Sequence, residues 1–127
     1  MRILVVEDSA AARAFVRSSL ELDATLGPVE VVEASGGFEA LRLLPRGPYA
    51  LVISDVNMVD INGLELVHFI RQSEQHRETP ILLISTQSSA RDRERGLRLG
   101  ASSFLPKPFT SDALLDAVRA LLKGGAG

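Results

Sequence analysis

Asp55 closes an apolar run, Leu51-Val52-Ile53-Ser54, that reads as a buried strand, and a carboxylate at such a tip is seldom structural filler. Glu7 and Asp8 close the first run of this kind, Ile3-Leu4-Val5-Val6; Ser85 closes Ile81-Leu82-Leu83-Ile84; Lys107 follows Phe104-Leu105. In a parallel sheet all strands point the same way, so their C-terminal ends share one edge, and ligands bind in the crevice outside it. Three carboxylates, one hydroxyl and one ammonium then converge. Oxygen ligands suit a hard cation such as Mg²⁺, and a cation beside an ammonium makes a place for an anionic phosphoryl group.

The elements that must position these groups can be read from periodicity. Short, partly β-branched or aromatic runs at 3–6, 29–32, 51–53, 81–84 and 104–105 alternate with segments of helical period. Ser9 is a plausible N-cap for a first helix reaching about Glu21, with Ala12, Phe15, Val16 and Leu20 on one side. Gly36-Gly37 opens a second helix carrying Phe38, Leu41 and Leu44, ended by Pro45-Arg46-Gly47-Pro48. Leu64, Val67 and Ile70 mark a third helix that stops before Thr79-Pro80. A fourth, Ala90 to Leu99, is unusually polar, with Arg91, Arg95 and Arg98 on one face; either a solvated, salt-bridged face or a patch for an acidic partner fits it. A fifth, with Ser111 as N-cap, carries Leu114, Leu115, Val118, Leu121 and Leu122. The expectation is an α/β fold: a doubly wound, five-stranded parallel sheet with helices on both faces. His68 and His76 have no second ligand at helical spacing and are assigned to solvent.

The 127 residues suffice for one domain, 1–123, followed by a flexible tail or linker start at 124–127. A composition 46% hydrophobic and 24% charged is that of a globular protein and argues against disorder. The net charge of −2 lacks the basic excess of nucleic-acid binders, so direct nucleic-acid binding is not expected. Without cysteine, neither disulfides nor thiolate metal sites can be invoked, and no stretch approaches membrane-spanning length. A cytoplasmic protein with no membrane association is the expectation.

At these residues the chain resembles the receiver domain of two-component response regulators, in layout the single-domain CheY type, over nearly its whole length. Glu7-Asp8 resembles the family's acidic pair, Asp55 its phosphoacceptor, Ser85 its Ser/Thr, and Lys107 in Leu105-Pro106-Lys107-Pro108-Phe109 its lysine. Asn57-Met58, Asn62-Gly63-Leu64-Glu65-Leu66, Glu39-Ala40-Leu41 and Gly100-Ala101 support the match. The resemblance implies the strand order 2-1-3-4-5. It also implies that Asp55 accepts a phosphoryl group from a sensor histidine kinase or a histidine phosphotransfer protein. Mg²⁺ would be held by Asp8 and Asp55, by the backbone carbonyl of Asn57, and by Glu7 through water. Lys107 and Ser85 would contact phosphoryl oxygens, and a cis Lys107-Pro108 bond would aim the lysine. Ser85 and Phe104 would form the switch, read by a downstream protein at the fourth helix, fifth strand and fifth helix, in a monomer or a phosphorylation-dependent dimer. Such a chain is a signalling switch that catalyses only its own phosphorylation and dephosphorylation, not an enzyme with a separate substrate.

Several residues depart from the family pattern. Thr86 stands where alanine or glycine is usual, and its side chain is expected to narrow the approach of water or phosphodonor; Val59 replaces a proline in the loop beneath the site. Asn57 and Gln87 flank the path of an attacking water as neutral amides that orient it without deprotonating it. Ser102-Ser103 replaces the paired aspartates that many winged-helix regulators use in dimerisation. A receiver portion of a longer regulator is an alternative. Among other classes, a haloacid-dehalogenase-type phosphatase would need a second aspartate where Asn57 stands. A flavodoxin-like cofactor module would not follow its first strand with Glu7-Asp8, which repel phosphate.

Overall fold

Four consecutive apolar residues, Ile3 to Val6, cannot alternate between core and solvent, so a strand made of them needs cover on both faces. The computed structural model describes residues 1–86 and 90–125 and supplies that cover. β1 (Arg2–Val6) lies between β2 (Glu30–Ala34) and β3 (Leu51–Asp55), and β4 (Ile81–Ser85) and β5 (Ser103–Pro106) complete a wholly parallel sheet of order β2-β1-β3-β4-β5. This is the doubly wound order expected. The helices are α1 (Ala10–Leu22), α2 (Gly37–Leu43), α3 (Gly63–Gln72), α4 (Ala90–Leu99) and α5 (Ser111–Gly125). None is long and apolar enough to cross a membrane among the described residues.

The two faces have separate cores. Val16 and Leu20 of α1 join Leu114, Leu115 and Val118 of α5 over Ile3, Val5, Ile53 and Leu82. On the other face Ala40, Leu66, Val67 and Ile70 of α2 and α3 meet Leu4, Val6, Val52 and Leu83. α4 buries only Gly96, whose missing side chain lets the helix lie close on the sheet: a Cβ there would stand 2.8 Å from Leu83 Cδ1.

Local signals set most helix starts. Ser9 caps α1 by accepting from the Ala12 N–H at 3.2 Å. Asn62 and Glu65 form a reciprocal capping box on α3. For α5 the expected cap is corrected by one residue: Thr110 Oγ1 accepts from the Ala113 N–H at 3.0 Å, and Ser111 is already helical. α3 ends at Gln72, earlier than the Thr79-Pro80 boundary, and a single 3-10 turn over Glu74–His76 follows. Phe15 and Phe38 lie on the expected helices but are exposed rather than in the core.

His76 is the clearest correction. Assigned to solvent from sequence, it is 0% exposed beneath the end of α2, its ring stacked on Tyr49 with centroids 5.7 Å apart. Nε2 lies 2.8 Å from the Leu44 carbonyl oxygen, which can only accept, so the proton is on Nε2 and Nδ1 faces the Thr79 hydroxyl at 3.3 Å. Nearby, Arg71 donates to the carbonyls of His76, Arg77, Thr79 and Gly100, tying the loops at this end of the sheet together. His68 is exposed, as expected.

α2 has no capping side chain of its own; Asp60, 23 residues beyond Gly37, accepts from the Gly37 and Phe38 N–H groups at 3.0 and 2.9 Å. The hydrogen bond from Phe38 is the main cause holding the Asp60 carboxyl below its ordinary value of 3.8. The stabilisation is therefore complete above that value and is lost as pH falls through the lower folded value. Asp60→Ala is expected to cost about 1 kcal/mol in urea unfolding near neutrality. The gap from wild type should close as the pH is carried below 3.8; a gap that persists in acid would contradict charge-assisted capping.

Candidate functional site

The carboxyl ends of β1, β3, β4 and β5 meet at one edge because their register is flush: Val6 pairs with Ser54, Asp55 with Ile84, and Ser85 with Pro106. Each tip residue then projects into the same crevice. Glu7 extends β1 by one residue, its N–H donating to the Ala34 carbonyl at 3.0 Å. Its own carbonyl is held by Arg13 Nη1 at 2.8 Å, and Arg13 is held in turn by Glu33. Arg13 and Glu33 escaped the sequence reading, because only the packing of α1 against β2 brings them together.

Asp55 is 6% exposed. One carboxylate oxygen accepts from the Asn57 N–H at 3.1 Å, and the other lies 2.8 Å from Lys107 Nζ. The same ammonium reaches Glu7 Oε2 at 3.0 Å, while Glu7 Oε1 accepts from the Ser9 N–H at 3.0 Å. Lys107 is set in place from two sides: its N–H donates to the Ser85 carbonyl at 2.8 Å, and the bond to Pro108 is cis, as expected. Ser85 is fully buried, and Asn57 Nδ2 donates to its hydroxyl oxygen at 3.3 Å. Asp8 stands exposed at the rim, and Thr86 is exposed beside the mouth. Val59, 94% exposed, leaves the loop after Asp55 without packing at its tip. Gln87 lies outside the described residues. Phe104 is buried among the residues under α2 and α3, a position compatible with ordinary core packing and with a switch.

The electrostatics leave a deficit of positive charge. Glu7, Asp8 and Asp55 each offer a carboxylate oxygen within 4.8 Å of the others, against one ammonium. Burial, and next its hydrogen bond with Asp55, pushes the Glu7 carboxyl up from 4.5 to about 7. Burial alone would lower the proton affinity of Lys107, but its bonds to Asp55 and Glu7 outweigh that and the net shift is upward. An all-oxygen set short of positive charge fits a hard divalent cation such as Mg²⁺. The structure thus brings together Glu7, Asp8, Asp55, Asn57, Ser85 and Lys107. A hollow of about 460 Å³ opens beside them, walled by Phe15, Val16, Ile84 and Phe109. Phe15 and Phe109, 5.9 Å apart, were not read as site residues; an aromatic at a core-like position of α1 gave no hint of its exposure.

Comparison with known proteins agrees with this geometry. Residues 3–119 match the response regulator receiver domain family. A chemotaxis protein CheY homolog of Campylobacter jejuni is 33% identical over 128 residues, covering 100% of this chain and 96% of that protein. Response regulator MprA of Mycobacterium leprae is 40% identical over 124 residues, which are 97% of this chain and 51% of MprA. The crystal structure of chemotaxis protein CheY4 of Vibrio cholerae superposes with a TM-score of 0.86 at 34% identity, covering 94% of this chain and 97% of that one. With the family matched over almost every residue and CheY-type proteins aligned end to end, the chain belongs to the response regulator receiver domain family, as a CheY-like signalling switch of two-component systems rather than a metabolic enzyme.

Proposed function

We propose that Asp55 is the phosphoacceptor, taking a phosphoryl group from a phosphohistidine of a sensor histidine kinase or histidine phosphotransfer protein. The observation that carries this reading is the buried Asp55 carboxylate, 2.8 Å from Lys107 and clustered with Glu7 and Asp8. One Asp55 oxygen forms the new O–P bond as the donor's N–P bond breaks, and the imidazole leaves with a proton; the product is an acyl phosphate.

Asp8 and Asp55 would hold Mg²⁺ directly, with the Asn57 carbonyl as a third ligand and Glu7 acting through water. The bound cation supplies charge neutralisation between two anionic reactants. Lys107 stays protonated and follows the phosphoryl oxygens. Ser85 contributes a hydroxyl hydrogen bond to the same group. For that, the Asn57–Ser85 contact gives way, and Ser85 and Phe104 rearrange together. The output is altered binding of a downstream protein at α4, β5 and α5. Asn57 and Gln87 flank the water that later hydrolyses the acyl phosphate.

Incubation with phosphoramidate and Mg²⁺, followed by intact-mass measurement, tests the reading. One phosphoryl adduct is expected on the wild type and none on Asp55→Asn or with EDTA. An adduct that survives in Asp55→Asn would move the acceptor elsewhere, and no adduct on the wild type would leave a receiver that signals without phosphate.

A further inference from the structure

α4 is the most lopsided element of the chain. In a protein of net charge −2 it carries four arginines against two acids, and only Gly96 is buried. Arg91, Arg95 and Arg98 follow i, i+4, i+7 spacing and form one exposed stripe. Arg95 joins Leu99 in lining a groove whose other wall is His68 and Phe69 of α3, with Leu64 beneath, and Arg91 and Arg98 continue the stripe from Arg95 toward solvent. Leu97 is two residues on, about 200° around the helix, and so belongs to the opposite flank. The arginine stripe is therefore not on the α4–β5–α5 side.

The groove has a volume of about 290 Å³, enough for one or two anchoring side chains. Phe69 is 43% exposed and Leu99 38%, so two large apolar groups face each other across it. Isolated exposed apolar residues are ordinary, but a facing pair with a basic margin has the chemistry of helix-in-groove recognition. Of the acids near the stripe, Glu94 pairs with Arg98 in a contact 71% exposed on both sides, which is worth little in water, and Glu65 is engaged in capping α3. An apolar floor with acids interspersed also does not suit a polyphosphate backbone.

We infer that the α3–α4 groove docks an amphipathic segment of a partner protein, with an apolar anchor seated between Phe69 and Leu99 and flanking carboxylates against Arg91, Arg95 and Arg98. This is a second surface, separate from the output face proposed above. It is formed while Lys107 engages Asp55, so binding there does not require phosphorylation.

The test uses the labelled full chain and a synthetic helical peptide with leucines at i, i+3 and i+7 and glutamates on the flanks. Amide shifts are expected at His68, Phe69, Arg95 and Leu99, unchanged in Asp55→Asn, which separates this proposal from the phosphoacceptor reading. Affinity should fall about tenfold or more in Arg95→Glu and in high salt, and likewise in Leu99→Ser, with melting curves confirming that both variants fold. The proposal is overturned if the groove does not shift, if a lysine-flanked peptide binds equally well, or if a short DNA duplex displaces the acidic peptide. It is also overturned if groove signals change with protein concentration alone, which would make a second copy the occupant.

Discussion

Lys107→Met is expected to remain folded and to lose phosphoryl incorporation by a factor of about 10²–10³, the scale on which removal of one preorganised charge donor slows a reaction that develops or moves negative charge. The geometry gives the reason. Lys107 is the ammonium that touches both buried acids, at 2.8 Å from Asp55 and 3.0 Å from Glu7, and a phosphoryl group arriving at Asp55 brings further negative charge into that space. Methionine keeps an unbranched apolar stem, one atom shorter, and removes the ammonium with its charge and its hydrogen bonds to Asp55 and Glu7. The backbone anchor, the Lys107 N–H to the Ser85 carbonyl, is retained, so loss of activity is not loss of the loop. The rate of adduct formation from phosphoramidate is the measurement. A variant that labels within about threefold of wild type would show that charge at this position does not govern the transfer.

The second large effect is structural. In Gly63→Ala a methyl group would stand 2.4 Å from the Asp55 carbonyl oxygen and 2.8 Å from Val56 Cα, and both are backbone atoms with no rotamer to escape into. Gly63 also donates its N–H to the Val56 carbonyl at 2.8 Å, which folds the chain after β3 back on itself and starts α3 directly behind the acceptor. Relieving the clash means moving β3 or α3. The expected cost is about 3 kcal/mol, at the upper end for overpacking, and a fall in Tm of roughly 10 °C for a domain of this size. Phosphorylation should slow as well, because the displaced atom belongs to Asp55. A variant that melts within about 2 °C of wild type would mean that the chain reversal yields more easily than a packed backbone should.

The architecture was legible because its signals are local and periodic. Continuous apolar runs separated by amphipathic segments specify buried parallel strands with helical crossovers, and the polar residue ending each run specifies a tip. Hence Asp55, Glu7, Asp8, Ser85 and Lys107 could be named together before their geometry was known. Boundaries and exposures were less legible. Thr110 and Ser111 are both competent caps, and only the hydrogen bond to Ala113 distinguishes them. Phe15 was expected on one side of α1 with Val16 and Leu20, yet it lines the hollow beside the site while the others reach the core, since it stands about 100° around the helix from Val16, at the margin of the buried stripe.

The sequence by itself determined the alternation of elements, the residues at the strand tips and the family, because each depends on residue type at short range or on spacing along the chain. The tertiary structure decided what depends on groups far apart in sequence. Asp60 caps a helix 23 residues away; His76 is buried because its ring finds the Leu44 carbonyl and the Tyr49 ring; one ammonium spans Glu7 and Asp55, 100 and 52 residues from it. Arg95 likewise comes to line a groove against α3 because Gly96, the residue without a side chain, is the one turned to Leu83 of the sheet and Leu64 of α3. Hydrogen bonding and close packing act through space, so no periodicity along the chain could have announced them.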